Sequence, residues 1–186
     1  MATLKIKKPW LSPRLRNVLI RIFPPRKKVD VLEFCKRNGV ILDPAYYELT
    51  MSHYDYARLE LDRIPLKKIY LEMRRWSDRH LKLNETFPYR YFSGEISYDQ
   101  YHKEYGHTDN VVNFGRGGRT EAGFTEFRRS IDENGFDDRK VIVVAKFNRL
   151  LDGMHRGSYL AWKHGMDYEV PVLRVYRMPK QKGRRK

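Results

Sequence analysis

The sequence predicts an α+β domain, and three observations lead to that fold class. The chain is 41% hydrophobic and 13% aromatic, which is enough apolar material to build a core. Two short apolar runs, at 141–147 and 169–177, have the composition of buried strands. Apolar residues also recur at helical spacing before and between these runs. Together these patterns predict a small mixed sheet with helices packed against it.

The sequence pattern predicts only some of the first elements of the domain. Residues 29–39 have the pattern of a short helix that ends at Gly39. Residues 40–60 are rich in Tyr and have a mixed period, so the pattern assigns no element to them. Residues 61–73 alternate enough to contain a strand.

A polar and aromatic stretch interrupts the domain at 74–112, where turn signals are frequent. This composition predicts an insertion that carries one short helix near 98–104. The whole of 29–176 is then one domain, with a basic arm at 1–28 before it and a basic tail at 177–186 after it.

The pattern is sharpest after residue 114. Thr120 is placed to cap a helix that Gly135 ends. The buried strand at 141–147 follows, then a glycine turn, and then a second helix from Gly153 that ends at Gly165. The final strand is 169–177. Helix, strand, turn, helix and strand within about sixty residues form a βα-type unit, in which a tight turn delivers side chains at a helix N-terminus.

The positive charge is concentrated at the two ends of the chain. The net charge is +15, and residues 1–28 hold nine basic residues and no acid. Residues 177–186 hold six more and no acid, so the excess of nine plus six leaves residues 29–176 neutral. Such basic ends bind polyanions without sequence specificity. They therefore indicate a partner that is anionic lipid, nucleic acid or another acidic molecule. The alternative is that they are solubilising tails.

The first basic end also has the pattern of an amphipathic helix at 10–23. An apolar stripe covers one side, and arginines lie on the other. The stripe consists of Leu11, Leu15, Val18, Leu19 and Ile22. With Trp10 at its start, this segment is suited to an anionic membrane surface. The alternative is an ordinary helix that packs its stripe on the domain.

Several protein classes are excluded by composition. No apolar run approaches the length of a membrane span, and no signal-peptide pattern begins the chain. The lone Cys35 forms neither an internal disulfide nor a cysteine-rich zinc site. We therefore expect a cytoplasmic protein that lies peripherally at the inner face of the membrane.

The segment with the clearest chemistry is 152–156, Asp-Gly-Met-His-Arg. It precedes a helix, whose first backbone N–H groups and positive dipole end attract anions. Gly153 allows close backbone approach, Arg156 offers a fork of donors for phosphate, and His155 can donate or shuttle a proton. Asp152 can bind a metal ion or orient a hydroxyl. These are the parts of a phosphate site. In the alternative, Asp152 caps the helix and Arg156 is a solvated ion-pair partner.

The same region resembles a known family. The segments SIDENGF, VIVV, LLDGMHR, AWKHG and VPVLRV, within 125–176, are similar in order to the motifs of the ParB/sulfiredoxin superfamily. The DGxHR form resembles the branch with free-serine kinases and sulfiredoxins more than the chromosome-partitioning branch. Sulfiredoxin chemistry requires a cysteine in the turn, where this chain has Met154.

The resemblance implies a small mixed sheet and a nucleotide, such as ATP with Mg²⁺, whose phosphates rest on the turn. The implied nucleotide-binding residues are Gly153, Met154, His155 and Arg156. Asp152 and His155 would serve in catalysis, with Asp152 also the Mg²⁺ ligand. Family kinases use a further acid after the first strand, for which Glu72 is the nearest candidate. Glu133 is a second acid near the expected cleft.

A glycine loop at 114–119 predicts a second anion-binding element, with Arg116 and Arg119 reaching the ligand. Its spacing matches neither the P-loop nor the dinucleotide fingerprint.

The leading hypothesis is a nucleotide-dependent phosphotransferase acting on a small hydroxylated or sugar-type substrate. Phosphoryl transfer needs mainly positioning and charge neutralisation, and the turn with a divalent ion supplies both. The basic arm fits a membrane-surface pathway such as cell-envelope glycan or glycolipid synthesis. Two alternatives stay open: a ParB-like nucleic-acid-associated protein or nuclease, and a nucleotide-binding module without turnover.

Overall fold

The computed structural model describes residues 28–72, 80–106 and 120–178. The helices are α1 (Val31–Arg37), α2 (Pro44–Leu49), α3 (Phe87–Phe92), α4 (Tyr98–Gly106), α5 (Glu121–Asn134) and α6 (Met154–His164). The strands are β1 (Tyr56–Pro65), β2 (Tyr70–Glu72), β3 (His80–Lys82), β4 (Ile142–Val144), β5 (Leu150–Asp152) and β6 (Glu169–Arg177). Helices and strands are mixed, so the predicted α+β class is confirmed.

Four strands form the main sheet in the order β1-β6-β4-β5. The long strands β1 and β6 pair antiparallel, and β4 and β5 form an antiparallel hairpin. Strands β4 and β6 are parallel neighbours, so the chain between them must cross back over the sheet, and α6 makes that crossing. Strands β2 and β3 form a separate two-stranded ribbon.

The main sheet has a core cluster on each face, because successive side chains of a strand point to opposite sides. We call these clusters the α6 core and the α1–α2 core. The α6 core includes Ile142, Val144, Val172, Tyr159, Leu160 and Phe124. The α1–α2 core includes Val31, Cys35, Tyr46, Val143, Leu173 and Val175.

The stretch 40–60, to which no element was assigned, contains α2 and the start of β1. Asp43 caps α2 by accepting a hydrogen bond from the backbone N–H of Tyr46 at 3.0 Å, and Pro44 is the first helical residue. Tyr46 and Met51 are buried, so this short helical segment closes one face of the sheet.

The described part of the predicted insertion, 80–106, contributes to the α6 core. Leu83, Phe92, Ile96 and Tyr101 are all buried there. The helix expected near 98–104 is confirmed as α4.

The amphipathic segment 10–23 and the glycine loop with Arg116 and Arg119 lie outside the described residues. Within the described ranges, the helices are all too short or too polar to cross a bilayer.

Candidate functional site

The turn between β5 and α6 has the position that its sequence predicts. Asp152 ends β5, Met154 begins α6, and Gly153 between them has φ 93°. A Cβ on Gly153 would lie 3.1 Å from Cγ1 and 3.3 Å from Cα of Ile142. Glycine therefore serves two needs here, because it adopts a left-handed conformation and it lets the turn approach β4 closely.

A β-bulge sets the direction of Asp152. Val143 pairs with Asp152 and Val144 pairs with Leu150, which leaves Leu151 as the extra residue of β5. Simple alternation would place Asp152 on the same face as Leu150. The bulge instead aligns it with Val143, whose side chain belongs to the α1–α2 core. The carboxylate is therefore directed toward the segment that contains α2.

Asp152 is paired with the arginine one helical turn later. An Arg156 Nη2 donor lies 2.9 Å from Asp152 Oδ2, and Arg156 Nη1 donates to the carbonyl oxygen of Lys140 at 2.9 Å. Only 15% of the Asp152 side chain and 17% of the Arg156 side chain are exposed. Arg156 is thus an ion-pair partner, as the alternative reading supposed, but a largely buried one that ties the turn to the entry of β4. Asp152 does not cap α6, because no side chain caps that helix.

Tyr46 of α2 adds a hydroxyl group to the surroundings of Asp152. Burial, followed by the negative charge of Asp152, raises the pKa of Tyr46, so the phenol stays protonated. The Tyr46 side chain is 4% exposed, and its hydroxyl has no hydrogen-bond partner among the residues that the structure describes. A buried donor without an acceptor is costly, so this hydroxyl is an unusual feature of the α1–α2 core.

His155 is held on the opposite side of the turn, in the α6 core. Its Nε2 lies 2.8 Å from the hydroxyl of Tyr101, and its ring packs 5.5 Å from that of Phe124. Met154 packs against the same core. The two residues therefore anchor the start of α6.

The two further acids do not lie at the turn. Glu72 forms an ion pair with Arg149, which directly precedes β5. That places Glu72 at the start of β5, whereas Asp152 ends it, roughly 10 Å along the strand.

Helices α5 and α6 run side by side in the same direction, which places Glu133 far from the turn. Phe124 contacts His155 at their starts, and Asp132 binds Lys163 near their ends at 2.5 Å. Glu133 follows Phe124 by nine residues, roughly 13 Å along the helix axis.

Sequence reasoning missed Tyr46 and Tyr101, the two tyrosines that flank the turn. Tyr46 lies in the stretch without a clear period, and Tyr101 lies in the predicted insertion. The sequence signal that points to Tyr46 is the helix N-cap pair Asp43-Pro44, which precedes it in the chain.

No group of three or more potential metal ligands occurs within residues 28–72, 80–106 and 120–178. No family model, curated protein or solved structure matches the chain.

Proposed function

We propose that the protein is a nucleotide-dependent phosphotransferase whose reaction takes place at the β5–α6 turn. The observation that carries this proposal is a helix start without a side-chain cap, spanned by the ion pair between Asp152 and Arg156. The resemblance of 125–176 to the kinase-containing branch of the ParB/sulfiredoxin superfamily supports the same conclusion.

The backbone at the start of α6 is the proposed phosphate cradle. Gly153 is the N-cap residue of α6 and has no side chain, so it offers no side-chain acceptor to the first helical N–H groups. These groups suit phosphate oxygens, and the positive end of the helix dipole favours the negative charge.

Arg156 has a positioning role in this proposal. Its two hydrogen bonds hold Asp152 and the Lys140 carbonyl in fixed relation to the turn. Its charge offsets that of Asp152, so a phosphate can approach the carboxylate without strong repulsion.

Asp152 is the residue that we assign to the chemistry. Mg²⁺ is commonly held by one or two carboxylates together with substrate phosphates and water, and the single carboxylate of Asp152 fits that pattern. Bound there, Mg²⁺ would neutralise charge on the transferred phosphoryl group. We assign the orientation of an acceptor hydroxyl to the phenol of Tyr46, which has no hydrogen-bond partner among the described residues.

The acceptor that we favour is a sugar-type or other hydroxylated group presented at a membrane surface. The composition of residues 1–28, which hold nine basic residues, no acid and an apolar stripe, supports that location.

A nucleotide-binding module without turnover is the second candidate. The ion pair between Asp152 and Arg156 favours this second candidate, because a paired carboxylate is a weaker base and metal ligand. The two candidates differ in turnover and agree in nucleotide binding.

The test begins with thermal shifts for ATP, ADP, CTP and GTP with Mg²⁺, followed by calorimetry on the best ligand. Arg156→Ala is expected to weaken binding about ten- to a hundredfold, because the ordered turn and its charge are lost. Arg139→Ala is the matched control, since Arg139 forms an exposed ion pair with Asp137. Arg156→Lys separates the charge from the two-donor geometry.

Asp152→Asn is expected to leave nucleotide affinity near that of the wild type and to reduce phosphoryl transfer or nucleotide hydrolysis by about a hundredfold or more. Nucleotide binding without turnover in the wild type favours the binding module. Unchanged affinity in a folded Arg156→Ala protein makes the turn purely structural. Binding of duplex DNA with a steep salt dependence, and no nucleotide binding, favours the nucleic-acid alternative.

A further inference from the structure

The first and last described residues of the chain lie close together, beside the start of β1. The Val29 N–H donates to the carbonyl of Tyr56 at 3.0 Å, and the Met178 N–H donates to the carbonyl of Asp55 at 2.8 Å. Lys28 also forms an ion pair with Asp55 at 2.5 Å. The two acid-free ends, with their nine and six basic residues, therefore join the neutral domain at the same end of the main sheet.

An exposed aromatic residue lies at that end as well. The hairpin between β4 and β5 turns at Lys146-Phe147-Asn148, and its Asn148 accepts a hydrogen bond from Arg174 of β6 at 2.5 Å. Arg174 is three residues before the last residue of β6, so the hairpin lies roughly 10 Å from the point where the chain leaves.

The exposure and backbone conformation of Phe147 are typical of a residue that contacts a binding partner. It is 56% exposed, and its backbone has φ 61°, a conformation that bulky side chains rarely adopt. The Lys146 ammonium lies 4.2 Å from the centre of the ring. An aromatic ring beside an ammonium group suits the boundary between lipid head groups and acyl chains.

We propose that this end of the sheet is a docking face for an anionic phospholipid bilayer, with Phe147 as a membrane-inserted contact. The charge complementarity of the two basic ends supplies the attraction. The lipid bilayer is favoured over nucleic acid because the sequence pattern of residues 10–23 predicts five aliphatic residues along one stripe. Aliphatic side chains gain from an acyl boundary, whereas bases stack on aromatic rings.

The proposal extends the membrane location given above by assigning a contact in the folded domain, and its test does not involve nucleotide. A failure of the phosphotransferase proposal therefore leaves this test unaffected, and the reverse also holds.

The first experiment places an environment-sensitive fluorophore at Phe147→Cys in the full-length protein. Wild-type protein gives the background labelling, because its single Cys35 is buried. The control is Asp167→Cys, whose native side chain is 83% exposed and lies just before the other end of β6, roughly 30 Å away. Vesicles of phosphatidylcholine with phosphatidylglycerol are expected to shift the emission of the probe at 147 to the blue and to leave the probe at 167 unchanged. Quenchers attached to the lipid acyl chains should reduce only the first signal.

The second experiment measures co-sedimentation with the same vesicles. Phe147→Gly removes the ring and relieves the positive φ, so the fold is retained and the affinity should fall about tenfold. Leu49→Ala, at a 54% exposed position of α2, should leave the affinity unchanged.

Three results would overturn the proposal. In the first, the protein sediments with vesicles but the emission of the probe at 147 does not shift. That result would mean that another part of the chain binds the vesicles without Phe147. Another is equal affinity of Phe147→Gly and wild type. The third is a shifted probe on duplex DNA but not on vesicles, which would make this face a nucleic-acid surface.

Discussion

Gly153 is the residue on which the geometry of the turn depends. Its positive φ starts α6, and the absence of a Cβ lets the turn lie against the backbone of Ile142. Arg156 then spans from α6 to Asp152 and to the Lys140 carbonyl, so three chain segments meet around one glycine. A substitution at this position tests steric fit and backbone strain together.

We expect Gly153→Ala to destabilise the protein by more than Gly165→Ala does. Gly165 ends the same helix with φ 86°, but a Cβ there meets nothing within 4 Å. The Gly165 variant therefore reports backbone strain alone, about 1–3 kcal/mol, because φ 86° with ψ 169° is a conformation adopted almost only by glycine. The Gly153 variant should lose about 1–3 kcal/mol through its contact with Ile142, in addition to its own backbone strain. Urea denaturation of both variants measures the difference, and equal losses would show that the contact with β4 is loose.

Cys35 gives a second expectation for a single residue. Burial raises the pKa of its thiol from 9.0 to about 11. The group loses its proton more readily in the unfolded chain, so its contribution to stability is complete below pH 9 and is lost as pH rises toward 11. Alkylation of the native protein near neutral pH should be slow and should follow global unfolding. Rapid labelling without unfolding would contradict the buried position.

The elements that the sequence predicted well are long enough to show a hydrophobic pattern, and residues that signal their ends flank them. Helix α5 has its Thr120 cap and Gly135 end, and β6 is a nine-residue apolar strand. The elements that it missed are short: α2 has six residues and β5 has three. A three-residue strand has no readable period, and the bulge at Leu151 depends on pairing with β4, which is a tertiary contact.

Local sequence also specifies only part of the candidate site. The turn was predicted from adjacent residues, because local chain geometry places Asp152 and Arg156 together. Tyr46 and Tyr101 reach the turn through packing of distant segments, and no local pattern specifies such contacts.

The parallel pair α5 and α6 is fixed by a polar cluster near its C-terminal ends. Asp132 accepts hydrogen bonds from the hydroxyl of Tyr159 and from the ammonium of Lys163, both at 2.5 Å. Burial, followed by Asp132, raises the pKa of Tyr159 to about 12, so the phenol remains a donor at neutral pH. The cluster therefore helps to keep Phe124 beside His155 at the other ends of the two helices.

Asp132→Asn should destabilise the protein at neutral pH by at most about 1 kcal/mol, because the Asp132 and Lys163 side chains are partly exposed to solvent. Lys163, and after it Tyr159, hold the pKa of Asp132 below its usual 3.8. The stabilisation is present above pH 3.8 and is lost as pH falls through the lower pKa of the folded state. The difference in unfolding free energy between wild type and variant should therefore shrink in strong acid. A difference that is independent of pH would show that the carboxylate charge is unimportant.

At the scale of the whole molecule, a neutral domain carries its excess charge on two ends. Deletion of residues 1–27 should release the protein from anionic vesicles without unfolding residues 28–178. Both nucleotide binding and the cooperative melt should survive, as measured by calorimetry and by thermal unfolding. If the truncated protein aggregates or melts without cooperativity, the apolar stripe is core and the membrane location is wrong.

The meeting of Val29 and Met178 at Asp55 and Tyr56 also makes the domain suitable for circular permutation. A linker of a few residues would join position 178 to position 28, and new termini could be opened at an exposed site such as Gly94, where the backbone turns and a Cβ meets nothing. The permuted domain would keep every described strand pairing while its basic ends were moved to another side. The proposed nucleotide chemistry and the proposed surface attachment would then be separable by chain order alone, without changing one side chain of the fold.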